Sequence, residues 1–201
     1  MADTHTPATD SAAAGVPRAS FTRMDECTQQ DWDIIIPALV EHSQTAVAGN
    51  VAQQLRTLEG DHGGFAVDRL SHCLQTAYLA ETDGRDEEYI ACALLHDIGD
   101  VLAPLNHPEI AAAIIKPYVK PENHWMVKNH GTVQGYYFWH FIGMDRNARD
   151  KLKDHEFYDH CEEFCAKYDM PAFDPDGTTP PLSHYEPLLA KMFGPGGFAG
   201  G

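Results

Sequence analysis

The sequence predicts an all-α fold, a single helical bundle. Three observations support this prediction. Apolar residues recur at three- and four-residue spacing through the middle of the chain, and no run alternates apolar and polar residues as a β-strand does. Helix start and stop signals bound these apolar segments, among them Pro37, Asp86 and Gly99. With 201 residues and 43% hydrophobic composition, the chain can bury one core.

The predicted helices are bounded by capping residues, glycines and prolines, and they cover about residues 37–59, 65–82, 87–98, 107–116, 121–130, 136–141, 147–153, 157–168 and 183–193. Pro37 is expected in the first turn of the first helix. Asp86 is a good N-cap for the third helix, which Gly99 is expected to end. Gly131 is expected to end a later helix. Ser183, with a glutamate three residues on, predicts a capping box for the last one.

Composition also predicts the domain limits. Residues 1–25 contain few large apolar side chains, so we expect a mobile N-terminal tail there. Residues 194–201 include five glycines and are expected to fray. The helical domain is therefore expected over residues 26–193.

The chain is strongly acidic, with 30 Asp and Glu against 14 Lys and Arg and a formal charge of −16. Such a surface repels phosphate backbones and anionic lipids, so we expect neither nucleic acid nor a membrane as a partner. No apolar run approaches a membrane span and the N-terminus does not resemble a signal peptide, which predicts a cytoplasmic protein. The five cysteines are expected to be reduced, with Cys161 and Cys165 packed in the core rather than on a metal.

A set of histidine and aspartate side chains forms the candidate functional site: His72, His96, Asp97, His107 and His130. They come from four predicted helices, which suits a metal site inside a helical bundle. His96 and Asp97 are adjacent at a helix end, so an imidazole and a carboxylate point toward nearly the same place. A carboxylate can bridge two cations, and an imidazole can bind one of them.

The order of these residues, His72, then His96-Asp97-Ile98-Gly99-Asp100, then His107 and His130, resembles the signature of the HD-domain superfamily over about residues 60–174. Most members of that superfamily look like metal-dependent phosphohydrolases. A smaller branch uses two irons and dioxygen, and it includes myo-inositol oxygenase and the 1-hydroxyphosphonate dioxygenases. The resemblance implies a helical fold around one or two metals.

Three local features resemble the oxygenase branch. The stretch His62-Gly63-Gly64-Phe65 begins ten residues before His72. The spacings from His72 to His96 and from His107 to His130 are 24 and 23 residues. The segment Lys167-Tyr168-Asp169-Met170 resembles the closing segment of these oxygenases.

The resemblance implies a mixed-valence Fe(II)/Fe(III) centre with O2 as co-substrate. One iron would be held by His72, His96 and Asp169, the other by His107 and His130, and Asp97 would bridge them. Nitrogen and carboxylate ligands with open positions suit iron. The implied substrate is a small organophosphonate, 1-hydroxy-2-(trimethylammonio)ethylphosphonate, cleaved at its carbon–phosphorus bond to phosphate and glycine betaine.

This sequence departs from relatives that act on the amino-substituted phosphonate. It has His62 and Phe65 where they have Tyr and Glu, and we hypothesise that His62 caps an iron until substrate arrives. It has Asp100 in place of a His and Gln134 in place of a Lys, which predicts a different group on the substrate. Asp100, with Trp125, Tyr136, Tyr137, Phe138 and Trp139 near it in sequence, is a candidate for holding a quaternary ammonium, although core packing is the preferred interpretation for most of these aromatics.

Arg146 and Arg149 are candidates for binding the phosphonate through forked hydrogen bonds, with surface ion pairs to Asp145 or Asp150 as the alternative. Two other functions stay open. An HD-type phosphohydrolase acting on a phosphate ester or nucleotide would use the same cluster without O2. A binding module with a structural metal fits less well, because structural sites are usually closed and four-coordinate. The oligomeric state is left open.

Overall fold

The computed structural model describes residues 16–198, which form helices and turns with no β-strand among them. The α-helices are α1 (Gln29–Thr45), α2 (Val47–Arg56), α3 (Arg69–Thr82), α4 (Glu87–Leu95), α5 (His107–Ile115), α6 (Pro121–Phe138), α7 (Tyr158–Phe164) and α8 (Leu182–Phe193). Short 3-10 turns occur at Met24–Glu26, Trp139–Ile142 and Arg146–Leu152. The predicted all-α class is confirmed. No helix within the described residues is long and apolar enough to cross a membrane.

The chain divides into two compact units, one up to Ser43 and one from Gln44 onward. In the first unit, Thr28 and Asp31 exchange hydrogen bonds in the manner of a capping box, with the Thr28 amide donating to Asp31 Oδ2 at 2.9 Å. This cap starts α1 at Gln29, so Pro37 lies inside the helix and the prediction that it begins the helix is wrong. The Ser20 amide donates to Asp31 Oδ1.

The predicted limits of the tails and of the helical domain stay predictions. Most of the expected N-terminal tail, residues 1–15, lies outside the described residues, and so do residues 199–201 of the expected C-terminal tail.

The second unit is built from packed helix pairs, with α3 against α4, α5 against α6, α6 against α7, and α2 against α8. Large side chains that are almost completely buried fill the space between them: Leu55, Leu58, Leu94, Leu95, Ile98, Ile115, Met126, Phe164, Leu189 and Phe193. Cys161 and Cys165 are buried in this core as free thiols, so their predicted packing role is confirmed.

Helix ends show which sequence signals operate in this fold. Asp86 caps α4 as predicted, accepting a hydrogen bond from the Tyr89 amide at 2.9 Å. Gly131 does not end a helix, because α6 continues to Phe138. A Cβ at this glycine would lie 3.1 Å from Pro108 Cγ, so the glycine serves the close approach of α5 instead. Ser183 is not a cap, since α8 already begins at Leu182.

Candidate metal centre

The four histidines and two aspartates of the predicted cluster come together in the second unit. His72 lies on α3, His96 and Asp97 lie at the C-terminal end of α4 and in the turn after it, and His107 is the first residue of α5. His130 lies in the middle of α6. Asp169 lies in a single π-helical turn, Cys165–Asp169, that follows α7. A π-turn inserts an extra residue per turn and often occurs at functional sites. Here it brings Asp169 into the interior, where it is 2% exposed.

Asp97 lies between two pairs of histidines. Its Oδ2 atom is 3.5 Å from His72 Nε2 and 3.4 Å from His96 Nε2. Its Oδ1 atom is 3.1 Å from both His107 Nε2 and His130 Nε2. Each oxygen of one carboxylate therefore faces its own histidine pair, and this is the geometry of a bridging ligand.

Asp169 completes the side of the cluster that contains His72 and His96. Its Oδ1 atom is 3.3 Å from His72 Nε2 and 3.7 Å from His96 Nε2, and it accepts a hydrogen bond of 2.8 Å from Gln134 Nε2. Among the described residues, two sets of three ligand atoms lie within 4.8 Å of one another: His72, His96 and Asp169, and His96, Asp97 and His130.

All four histidines are oriented by backbone carbonyls. The Nδ1 atoms lie near carbonyl oxygens as follows: His72 near Ala172 (3.0 Å), His96 near Ala93 (2.7 Å), His107 near Pro104 (2.9 Å) and His130 near Val127 (2.7 Å). Because a carbonyl only accepts, Nδ1 carries the proton and the neutral ring presents the Nε2 lone pair to the cluster. This is the arrangement of histidines that bind metal through Nε2.

The electrostatics of the metal-free cluster favour the charged forms of His96, Asp97 and Asp169. Burial disfavours the charged form of His96, but the Asp97 and Asp169 carboxylates outweigh burial and raise the pKa of His96 to about 9. Burial likewise opposes ionisation of Asp97 and Asp169, yet the histidines around them hold the pKa of both carboxyls well below its ordinary value. Without metal, the cluster therefore keeps ionised carboxylates next to imidazolium.

The donor atoms of this cluster fit metal ions. Asp169 Oδ2 and Gln134 Oε1 are buried and have no hydrogen-bond partner among the described protein atoms, and an unpaired buried oxygen of this kind is costly unless something binds it. Imidazole nitrogens together with carboxylate oxygens suit iron and other divalent transition metals. The buried histidine and aspartate groups could therefore hold a metal.

A cavity of about 820 Å³ opens onto the cluster and is lined by five of the six candidate ligands, His72, Asp97, His107, His130 and Asp169. Its other lining residues include the aromatic side chains Phe65, Tyr137, Phe138, Trp139 and Phe173. Phe173 stacks on His72 with ring centroids 4.2 Å apart, and Phe65 stacks on Phe173. The cavity therefore joins the polar cluster to a lining that includes these five aromatic side chains, called the aromatic wall below.

Some of the residues predicted to bind substrate line the cavity and others do not. Gln134 and Asp100 line the cavity, and Asp100 forms an ion pair with Arg69 through Oδ2. Arg146 and Arg149 do not line the cavity, because their guanidinium groups lie over the ring of Tyr136, at 4.2 and 3.7 Å from its centroid.

His62 is exposed in the loop before α3, and it neither lines the cavity nor contacts the cluster, so its predicted capping role has no support in this geometry. Arg69 and Lys128 line the cavity and were missed by the sequence analysis. A signal for Arg69 was present in the sequence. Arg69 stands three residues before His72 and Asp100 three after Asp97, so both share a helical face with a candidate ligand.

The fold and the site together define a helical bundle with a buried histidine and carboxylate cluster able to bind metal. Comparison with protein families detects an HD domain at residues 69–164. That range contains all four histidines and Asp97, while Asp169 lies just beyond it. HD domains are typically metal-dependent enzymes, either hydrolases or oxygenases. No curated protein sequence matches the chain.

Proposed function

We propose that this protein is a non-haem di-iron oxygenase that uses O2 to cleave the carbon–phosphorus bond of a 1-hydroxyphosphonate. The proposed substrate is 1-hydroxy-2-(trimethylammonio)ethylphosphonate, and the products are phosphate and glycine betaine. The observation that carries this proposal is the placement of Asp97, which turns one oxygen toward each of two histidine pairs.

These distances support an assignment of the ligands to two metals. His72, His96 and Asp169 would hold one iron, His107 and His130 the other, and Asp97 would bridge them. The proposed irons supply the redox chemistry with O2, whereas the protein positions the ligands and the substrate. Gln134 orients the Asp169 carboxylate by donating to Oδ1, the oxygen that also faces the Nε2 atoms of His72 and His96.

The cavity lining supports a substrate with one anionic and one quaternary ammonium end. Aromatic faces bind trimethylammonium groups through cation–π contacts, and five aromatic side chains line this cavity. Since Arg69 already neutralises Asp100, we assign the ammonium to the aromatic wall and not to that carboxylate. Lys128 lines the cavity and supplies the positive charge that we assign to the phosphonate, in place of Arg146 and Arg149.

The proposed reaction balances without an external reductant. One O2 adds two oxygen atoms, so that the hydroxyl-bearing carbon leaves as a carboxylate and the phosphonate leaves as hydrogen phosphate. The carbon–phosphorus bond and the carbon–hydrogen bond break, and one proton is released. Four electrons pass from the substrate to O2.

The test is to measure phosphate and glycine betaine released from this substrate by iron-loaded protein, with and without O2. The proposal predicts equal amounts of both products, one O2 consumed for each, and no turnover without O2. Release of phosphate that persists from phosphate esters under anaerobic conditions, with no reaction of the phosphonate, would instead identify an HD-type phosphohydrolase.

A further inference from the structure

Arg69 and Asp100 form an ion pair that lies beside the metal cluster. Arg69 opens α3 one turn before His72, and Asp100 follows Asp97 by one turn. The Arg69 Nη1 atom contacts Asp100 Oδ2, and Asp100 is only 7% exposed. His72 contacts Asp97, and the residues one turn away on the same two segments, Arg69 and Asp100, contact each other as well. Neither Arg69 nor Asp100 is a candidate metal ligand.

Arg69 also holds the loop that precedes α3. Its Nε atom is 3.3 Å from Asp61 Oδ2, and its backbone amide donates to the Asp61 carbonyl at 3.0 Å. Gly63, with φ of 51°, leaves room for the guanidinium, since a Cβ there would lie 2.5 Å from Arg69 Nη2. Asp61, Arg69 and Asp100 therefore form a continuous clasp from the loop to the helix end that carries Asp97.

The clasp reaches the metal cluster at His107. The second Asp100 oxygen, Oδ1, lies 3.6 Å from His107 Nδ1, an electrostatic contact, while the Nδ1 proton is directed at the Pro104 carbonyl 2.9 Å away. The His107 side chain is 22% exposed, whereas those of the other three histidines are at most 5% exposed. Because surrounding atoms restrain His107 least, its orientation depends most on these polar contacts.

We propose that the clasp of Asp61, Arg69 and Asp100 orients His107 and so sets the metal affinity of the half of the centre that contains His107 and His130. Arg69 and Asp100 are positioning residues in this account. A carboxylate beside the outer nitrogen of a metal-binding imidazole aligns the ring and makes it a stronger ligand, and removing such a group typically weakens metal binding roughly 10- to 100-fold. This inference rests on the two-metal centre proposed above.

The pairing also explains why a carboxylate is tolerated at this position. A buried carboxylate without a partner carries a large desolvation cost, and Arg69 offsets it from within the protein. The forked guanidinium can engage Asp61 and Asp100 at the same time through Nε and Nη1, which a lysine ammonium would do less well. An arginine therefore suits this position better than a lysine. The ion pair stabilises the Asp100 carboxylate without any charge from the substrate.

The experiment is an anaerobic titration of the metal-free protein with Fe(II), with a competing chelator to resolve the two binding steps. Wild-type protein is expected to bind two irons. Asp100→Asn is expected to weaken one step roughly 10- to 100-fold and to leave the other nearly unchanged. Asp150→Asn is the control, because Asp150 is an exposed carboxylate paired with Lys153 away from the cavity, and it should behave as wild type.

Two glycine variants test the clasp without changing any charge. Gly63→Ala and Gly64→Ala share the strain of a positive φ, but a Cβ at Gly63 meets Arg69 while one at Gly64 meets nothing within 4 Å. We expect only Gly63→Ala to weaken the same iron-binding step. Equal effects of the two glycine variants would show that loop strain, not the clasp, is responsible, and would overturn the inference.

The remaining outcomes separate this inference from the proposed function. Two irons in wild-type protein with both steps unchanged in Asp100→Asn would overturn the clasp and leave the two-metal centre standing. Equal weakening of both steps would also overturn it, because the effect would not be confined to His107 and His130. A wild-type protein that binds fewer than two irons would overturn the two-metal centre and, with it, this inference.

Discussion

The Asp97 carboxylate is the side chain on which the candidate centre most depends, because it lies within 3.5 Å of the Nε2 atoms of all four histidines. The sequence predicts the participants from the adjacent pair His96-Asp97 and from histidines at helix ends. It does not predict that the two oxygens divide between two pairs, since that depends on how α3, α4, α5 and α6 pack. The bridging geometry therefore emerges only in the folded chain.

Replacing Asp97 by asparagine keeps the side-chain shape and removes the charge. We expect Asp97→Asn to lose at least one of two metals and all turnover, because an amide is a much weaker bridge between two cations than a carboxylate. Metal content per protein after iron loading measures this directly. Asp150→Asn serves again as the exposed control, and normal two-metal loading of Asp97→Asn would refute the bridging role.

The metal-free cluster should show a distinct pH dependence. The pKa of His96 is raised from 6.5 to about 9 in the fold, so its pairing with carboxylates stabilises the metal-free protein fully below about pH 6.5 and is lost as the pH rises through about 9. Since metal must displace this proton, apparent metal affinity is expected to rise with pH over the same interval.

Thermal unfolding of metal-free protein and chelator competition, both measured from about pH 6 to about pH 10, check this prediction. The expected result is a melting temperature that falls while apparent metal affinity increases. An affinity that stays constant over the interval would contradict the arrangement of imidazolium beside two carboxylates.

Other single residues mark the limits of sequence analysis at this site. All six predicted ligands come together, but Arg146 and Arg149 lie over Tyr136 instead of the cavity. They were assigned to the phosphonate because a guanidinium binds such anions well. The sequence does not determine the direction in which an arginine side chain in a turn points. Arg69 was missed for the opposite reason, since its significance depends on Asp100 reaching it from another helix end.

The π-helical turn after α7 is the element that most affects the site. The Met170 amide donates to the Cys165 carbonyl at 2.9 Å, a bond that spans five residues instead of the four of an α-helix. The extra residue changes the angular position of Asp169 relative to α7 and accompanies its burial next to His72 and His96. The apolar pattern predicts a continuous helix through this segment, so the turn could not be anticipated from the sequence.

The helix ends show which boundaries are determined by local hydrogen bonds and which by tertiary packing. The Asp86 cap depends on a local hydrogen bond from the Tyr89 amide, and the predicted cap is present. Gly131 depends on what packs against it, and the local rule for glycine was overridden by the approach of Pro108. Pro37 was placed wrongly because the capping box at Thr28 and Asp31 starts α1 earlier.

The Asp86 cap can be tested apart from the metal cluster. Asp86→Ala is expected to lower the free energy of unfolding by about 1 kcal/mol, because the Tyr89 amide loses its acceptor. Denaturant unfolding of the metal-free protein measures the change. Iron stoichiometry should be unaffected, and a loss of iron binding in this variant would contradict the independence of the α4 N-terminus from the site at its other end.

At the scale of the whole molecule, composition and periodicity predict the all-α class, and the order of histidines predicts which helices converge. The cavity could not be predicted in this way, because its aromatic wall combines residues from the loop before α3, from α6 and from the segment after Asp169. A chain with a net charge of −16 repels anions at long range, so local cations such as Lys128 become more important for an anionic substrate.

The most direct test of the central claim is electron paramagnetic resonance of iron-loaded, partly oxidised protein, recorded with and without the 1-hydroxyphosphonate. Two irons bridged by Asp97 in the ferrous–ferric state are expected to couple antiferromagnetically and to give a half-integer ground state, with a signal that the substrate perturbs. Full iron loading with no coupled signal would contradict the bridged two-metal centre.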